Sequence, residues 1–366
     1  MKDDSERHRP GNIEELSALV RSVDLALPTG CGTKPALLWT KAPATIIEMG
    51  EIAGIVEYLP EEYTITTNAG TSLRDVACAL AENSQYFPFD PPFSDLGATV
   101  GGTVAAGLSG AGRYRFGGLR DFILGVRFVD GNGNLVTGGG KVVKNAAGFD
   151  FPKLFVGSVG RLGVLTEVTF KVFPAPDGYA TLKLAYEDLG SALVALRSMH
   201  GYTIDLHALD IESPATLCVR LGGIRDALPR RIDRVTAYLE HSGEVLEEDR
   251  DADYWRDVAN FSWVPEGWSL VKIPLAPSRV TVLDNVLRDS GSVQRYSAGA
   301  ALAWVASPPE LSVSSMDRKL EETGFSGLLM RGEAVGFPIL GRFEKEGFMA
   351  RVKAALDEPG RFPGFD

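Results

Sequence analysis

The sequence predicts an α+β protein in two parts, and three observations carry that prediction. The chain has 366 residues, more than one hydrophobic core usually organises. Its 41 glycines are crowded between Gly97 and Gly163 and ordinarily spaced from Ala180 to Phe325. After Pro174-Ala175-Pro176 the pattern turns to an alternation of strands and helices. Glycine loses the most backbone entropy on folding, so crowding marks a segment that needs positive φ or close backbone approach. A ligand site is expected in the first half, and an α+β cap on an antiparallel sheet in the second. The boundaries that follow are 1–175 for the first domain, 176–342 for the cap and 343–366 for a C-terminal helix and tail returning to the first.

Each element has its own justification. Ile13 to Val20 reads as a short amphipathic helix, and Ala26 to Pro28 leads into the turn Thr29-Gly30-Cys31-Gly32-Thr33. Gly54 to Tyr58 and Tyr63 to Thr66 read as strands. Leu73, Val76, Ala77, Leu80 and Ala81 recur at helical spacing, and Ser72 with Asp75 gives a capping-box start. Phe87 to Pro92 is too rich in proline for regular structure. Gly97 to Gly118 is almost all small residues and reads as loop. Phe122 to Val129 is a strand, Asp130-Gly131-Asn132-Gly133 a hairpin turn, and Val164 to Val172 a second strong strand. In the cap, strands are expected at 181–186, 216–221, 268–274 and 301–305. Helices are expected at 191–199, 230–239 and from a cap at Ser278.

Composition narrows the function. A net charge of −11 argues against binding a phosphate backbone, so no nucleic-acid partner is expected. Three scattered cysteines, Cys31, Cys78 and Cys218, give no CxxC, so neither an iron–sulfur cluster nor a zinc site is expected from this chain, and no metal. Met1 to Pro10 is charged, without the apolar core of a signal peptide, and no apolar run is long enough to span a bilayer. The expected location is cytoplasmic, with contact to the inner face of a membrane only through partners.

Two glycine-rich segments are decoys. Gly30-Cys31-Gly32-Thr33-Lys34-Pro35 starts like a dinucleotide fingerprint but has proline where the third glycine belongs. Gly140-Lys141 starts like a P-loop, but Val142 replaces the magnesium-binding Ser or Thr. What remains is a pair of loops. Thr29 to Thr33 offers successive N–H groups without bulk at Gly30 and Gly32, a nest suited to a pyrophosphate. Thr99 to Gly107 is small-sided enough for a flat ring system and its chain to lie on the backbone. Either loop alone reads equally well as a tight surface turn.

The residues then match a family. Pro91-Pro92, Ala98-Thr99-Val100-Gly101-Gly102, Ser109-Gly110 and Gly117-Gly118-Leu119-Arg120-Asp121-Phe122-Ile123-Leu124-Gly125 resemble the FAD-binding domain of the vanillyl-alcohol-oxidase superfamily. The run Gly140-Lys141-Val142-Val143-Lys144-Asn145-Ala146-Ala147-Gly148-Phe149-Asp150 is similar to the glycolate oxidase E-subunit family. So are Lys153-Leu154, Gly157-Ser158, Gly160 and Gly163-Val164-Leu165. The resemblance is strong from Leu27 to Pro174 and weak elsewhere, although Arg361-Phe362-Pro363-Gly364 is similar to the family's closing segment.

The resemblance implies a PCMH-type FAD-binding domain of two α/β subdomains, followed by the cap. It implies FAD held by Thr29, Gly30, Cys31, Gly32 and Thr33 at the pyrophosphate, and by Thr99, Gly101, Gly102 and Thr103 along the pyrophosphate and ribityl chain. Ala106, Ser109 and Gly110 would lie beside the ring, with Pro92, Gly163 and Val164 completing the set. Asp121 is expected to order its loop rather than touch FAD. Relatives that attach FAD covalently use a histidine in the first loop; Cys31 stands here, so non-covalent FAD is expected.

The resemblance further implies a flavin-carrying subunit of a glycolate oxidase or dehydrogenase complex, relaying electrons from oxidation of a small 2-hydroxy acid, glycolate to glyoxylate. The implied partners are a homologous flavin subunit with a histidine-rich motif and an iron–sulfur subunit. Rival readings are a free-standing FAD-dependent 2-hydroxy-acid or alcohol dehydrogenase, and a non-catalytic structural subunit of the same complex. UDP-N-acetylenolpyruvoylglucosamine reductase shares the expected fold but not the Lys144-Asn145 run or Pro91-Pro92.

No catalytic residue emerges. Oxidising a 2-hydroxy acid needs a base and cationic groups for the carboxylate, yet the sequence has no histidine after His241. His200 and His207 read as structural, and Arg113, Arg115 and Arg120 as partners of phosphate or carboxylates. Trp255, Trp263, Trp268 and Trp304 read as core.

Overall fold

A computed structural model describes residues 6–140, 149–342 and 347–365 of the chain. Lys144 and Asn145 lie outside the described residues. The chain forms two compact units. The first holds residues 1–109, 118–174 and 344–366; the second holds 110–117 and 175–343.

The first unit has two main sheets. Strands β1 (Arg7–His8), β2 (Ala26–Thr29) and β3 (Thr45–Glu48) are parallel, in the order β1-β3-β2. Strands β4 (Ile55–Leu59) and β5 (Thr64–Asn68) follow, then the short β6 (Gln85–Tyr86), β7 (Ile123–Val129), β8 (Leu135–Gly139) and β9 (Val164–Lys171). Last comes β10 (Phe173–Pro174), which pairs with β6. The larger sheet is antiparallel, ordered β4-β5-β9-β7-β8. The β7–β8 hairpin turns at Asp130, whose Oδ1 accepts from the N–H groups of Asn132 at 2.9 Å and Asn134 at 2.8 Å.

The Ile13–Ser22 helix joins the two sheets through a core. Leu16 and Val20 meet Ala26, Ile47 and Met49 from one side and Val129 and Val164 from the other. Phe362 completes that cluster. The closing segment is held there because the Asp357 carboxylate accepts from the backbone of Arg361 at 2.7 Å and of Phe362 at 2.9 Å. The Leu73–Ala81 helix starts as its sequence predicts, with Ser72 Oγ accepting from Asp75 N at 3.0 Å.

The second unit is one nine-stranded sheet with an internal repeat. Strands β11 (Gly178–Ala185), β12 (Ala208–Glu212), β13 (Thr216–Gly223) and β14 (Glu244–Glu247) are threaded by helices Leu189–His200 and Leu228–Leu239. Strands β15 (Ser269–Pro274), β16 (Val293–Ser297), β17 (Leu302–Ser307) and β18 (Ser326–Arg331) are threaded by helices Val280–Leu287 and Val313–Glu322, and β19 (Ile339–Gly341) adds an edge. Each set is a β-α-β-β-α-β unit. The sheet order β14-β11-β13-β12-β16-β17-β15-β18-β19 sets them side by side, so both contribute the same 4-1-3-2 arrangement. The seam is the antiparallel β12–β16 pair, where Glu212 faces Arg295 in register. Ser278 does not cap its helix as expected. It lies in a 3₁₀ turn, Pro277–Arg279, and Arg279 precedes the helix without a side-chain cap.

Candidate cofactor site

One cleft is built entirely by the first unit. Its first wall is the turn after β2. Gly32 sits there at φ +68°, a conformation that favours glycine. Among the described residues, no carbonyl or side-chain oxygen accepts from the N–H groups of Gly30, Cys31, Gly32 or Thr33. Partly exposed at a strand end, these donors form a site for an anion. Gly30 is required by contact, since a Cβ there would stand 2.2 Å from Thr99 Oγ1.

The second wall differs from the expected loop: Val100–Ala106 is a helix. Thr99 caps it, its Oγ1 accepting from Gly102 N at 3.2 Å. The start is stitched to the turn after β5, with Val100 N donating to Thr71 O at 2.9 Å and Gly101 N to Ala69 O at 2.8 Å. A Cβ on Gly101 would lie 2.7 Å from that of Ala69. The small residues therefore serve a helix packed against a strand end. The third wall is the segment from Ser158 to Leu165, pinned to this helix by Gly157 N to Val104 O at 3.0 Å and Val159 N to Ala105 O at 2.8 Å.

The cleft spans about 750 Å³ of atom-free space, part of it open to solvent. It gathers Thr29, Gly30, Cys31, Gly32, Thr33, Thr99, Gly101, Gly102, Ala106, Gly163 and Val164 of the predicted set. Pro92, Thr103 and Ser109 are buried away from its lining. Ser109 Oγ accepts from Leu119 N at 2.9 Å, so its hydroxyl orders the chain there. Asp121 likewise accepts from Gly118 N at 2.8 Å, the ordering role expected of it. Gly110 belongs to the second unit.

Sequence reasoning missed several lining residues. Leu37, Leu38, Met49 and Ala69 supply apolar surface, and burial is a tertiary property their local sequence does not announce. Ser158 is buried with its hydroxyl unpaired among the described residues. Lys34 is 8% exposed, and its Nζ donates to Thr33 Oγ1 at 2.7 Å. Burial lowers its pKa to about 8, while the neighbouring Cys31 acts the other way. An orphaned hydroxyl, a buried cation, unpaired N–H groups and apolar walls together fit an anionic dinucleotide carrying a flat ring.

The second unit holds a different cluster. Arg295, 4% exposed, donates from Nε to Asp210 at 3.1 Å and from Nη1 to Glu212 at 3.2 Å and Tyr254 at 3.1 Å. Burial pushes the Asp210 carboxyl up, against the pull of Arg295. Burial also pushes the Cys218 thiol up to about 11. Arg220 pairs with Asp251 at 2.7 Å, and Trp255 Nε1 donates to Thr181 Oγ1 at 2.8 Å. These groups satisfy one another, which is a structural role. His207 is buried between Tyr179 and Phe116, with ring centroids 4.8 and 5.4 Å away, and His200 stacks on Tyr114. Trp304 packs against Phe261 at 4.7 Å. Arg115 pairs with Asp205 at 3.3 Å. Among the described residues no three His, Cys, Asp or Glu side chains are grouped to hold a metal.

Comparison with known proteins agrees with this geometry. The FAD-binding-domain family (FAD_binding_4) matches residues 8–139, the stretch that builds two of the three walls. Residues 8–139 are therefore an FAD-binding domain of this family, and FAD is the cofactor. Glycolate oxidase subunit GlcE of Escherichia coli is 46% identical over 130 residues, covering 36% of this chain and 37% of that protein. Glycolate oxidase subunit GlcD of Bacillus subtilis is 30% identical over 251 residues, 67% of this chain and 53% of that protein. The chain thus matches about a third to about half the length of these relatives. An alkyldihydroxyacetonephosphate synthase structure shares the fold at TM-score 0.72 and 14% identity, over 97% of this chain and 76% of that one.

Proposed function

We propose that this chain is the FAD-carrying, E-type subunit of a glycolate-oxidase-type complex, with FAD held non-covalently in the cleft of the first unit. The observation that carries the reading is the cleft itself. The unpaired N–H groups of Gly30–Thr33 line the same cleft as the small residues Gly101, Gly102 and Ala106 of the helix wall, in a chain that is 46% identical over 130 residues to a glycolate oxidase subunit. When bound, FAD supplies acceptance of two electrons. The chain's own residues hold it: Gly30, Cys31, Gly32 and Thr33 at the pyrophosphate, Thr99, Gly101 and Gly102 along the chain, and Ala106, Gly163 and Val164 toward the ring. Thr103, Ser109, Gly110 and Pro92 stay in the proposal as residues that shape this segment rather than line the cleft.

The first unit is proposed as the PCMH-type FAD-binding domain and the second as its cap. Arg220 and Arg295 of the second unit are paired with Asp251 and Asp210, and no histidine follows His241. A base for a 2-hydroxy acid is accordingly assigned to a homologous flavin subunit, and electron transfer onward to an iron–sulfur subunit. No helix among the described residues is long and apolar enough to cross a membrane, so a cytoplasmic location with membrane contact through those partners completes the reading.

A visible spectrum of the purified chain tests it. Flavin bands that pass into the supernatant on acid precipitation, and do not bleach when glycolate is added to the native chain, are expected. Flavin left in the pellet defeats the non-covalent reading, and bleaching by glycolate makes the chain a dehydrogenase in its own right. Cys31 is an exposed thiol in the cleft. Cys31→Ser is expected to retain FAD at wild-type stoichiometry, measured by absorbance per chain.

A further inference from the structure

Lys34 is out of place for a structural residue. Its side chain is buried, yet among the described residues no carboxylate lies within ion-pair distance of Nζ. Its nearest polar partner is the Thr33 hydroxyl, and the Phe93 ring centroid lies 5.4 Å away. Among the described residues Cys31, a thiol and not a carboxylate, is the titratable group whose charge acts on it. A buried cation without a counter-charge is costly, and this one lines the same cleft as the unpaired N–H groups of the Gly30–Thr33 turn. It also lies 3.9 Å from the point where a Cβ on Gly102 would stand, so it faces the helix wall as well as the turn.

We infer that Lys34 is the counter-ion of the cofactor's pyrophosphate: its ammonium is kept unpaired in the fold so that the dinucleotide's phosphates can pair with it. The inference rests on the FAD reading above and adds a side-chain charge to a site otherwise made of backbone donors. It explains why a lysine is retained where an apolar residue would suit the free chain. Its cost has a definite pH window. A lysine whose folded pKa is lowered destabilises the fold wherever both states carry the charge. That penalty fades as pH rises from about 8 toward the ordinary value near 10.5.

The full chain, stripped of flavin and titrated separately with FAD and with riboflavin, which lacks the pyrophosphate, tests the inference in wild type, Lys34→Met and Lys34→Arg. Lys34→Met is expected to weaken FAD roughly tenfold to a hundredfold, the range of a charge-assisted contact. Riboflavin binding should stay within about twofold and Lys34→Arg should keep most of the FAD affinity. The flavin-free Lys34→Met chain should also melt higher than wild type at pH 7, the gain shrinking between pH 8 and pH 10.5. Two results overturn the inference alone: unchanged FAD affinity in Lys34→Met, or equal loss of FAD and riboflavin with a lower melting temperature. A wild-type chain that binds no FAD overturns the reading beneath it, and the inference with it.

Discussion

Gly102→Val is expected to abolish FAD retention while leaving the melting temperature within about 3 °C of wild type, a change of at most roughly 1 kcal/mol. The separation of effects follows from where the new side chain would go. A Cβ at residue 102 would lie 3.1 Å from Thr99 Oγ1 and 3.9 Å from Lys34 Nζ, with no backbone atom closer. The hydroxyl needs to give by a few tenths of an ångström, and replacing a helical glycine returns a fraction of about 1 kcal/mol in backbone entropy. The valine methyl groups would then enter the space between the helix and Lys34, the position proposed for the cofactor's phosphates. Absorbance at the flavin bands and a thermal melt of the same preparation check both halves. Gly70→Ala makes the contrast, because its Cβ would meet Met49 O at 1.9 Å. There the backbone itself must move, and flavin loss should come with loss of stability. A Gly102→Val chain that stays yellow removes the cleft as the FAD site.

These two glycines show which features local sequence reveals. The Leu73–Ala81 helix was legible because its stripe and Ser72 cap lie within a dozen residues, and the β7–β8 hairpin because Asp130 closes its own turn. The strand–helix alternation of the cap was legible for the same reason, although its doubling about the β12–β16 seam needed the register. The Val100–Ala106 helix was not. Two glycines in seven residues each cost about 1 kcal/mol of helix propensity relative to alanine. It forms through contacts distant in sequence, Gly101 N on Ala69 O and Gly157 N on Val104 O. Propensity loses there to tertiary packing, which only small side chains permit. The paired loops of the cofactor cleft were legible as a pattern of residue types, because backbone donors need glycine wherever they occur. Lys34 was not, since nothing near Pro35 says that a lysine is buried or that no acid accompanies it. Asp210 and Arg295, which are 85 residues apart, were beyond reach for the same reason.

Arg295→Met is expected to be the most destabilising single substitution considered, at about 3–5 kcal/mol, because it strands a buried charge. Asp210 is fully buried, and without Arg295 its partners among the described residues are Ser297 Oγ at 2.9 Å and Ala298 N at 3.1 Å. Glu212 and Tyr254 lose the same guanidinium. For a unit of this size the loss corresponds to a fall of roughly 10 °C in melting temperature. Its pH dependence has a fixed sign. Burial already raises the Asp210 carboxyl, and removing the cation raises it further. A carboxyl raised in the fold supports stability while protonated and withdraws that support as pH climbs through its folded pKa. The deficit of Arg295→Met against wild type should therefore be smaller at pH 5 than at pH 8. Adding Asp210→Asn should recover part of the stability at pH 8, since the stranded group is then neutral. The measurement is a set of melts for the two single variants and the double variant at both pH values. A deficit independent of pH, with no recovery in the double variant, would mean that Arg295 acts through packing of its stem and not through charge. FAD content is expected to persist in every variant that remains folded, because each cleft residue belongs to the first unit and Arg295 to the second.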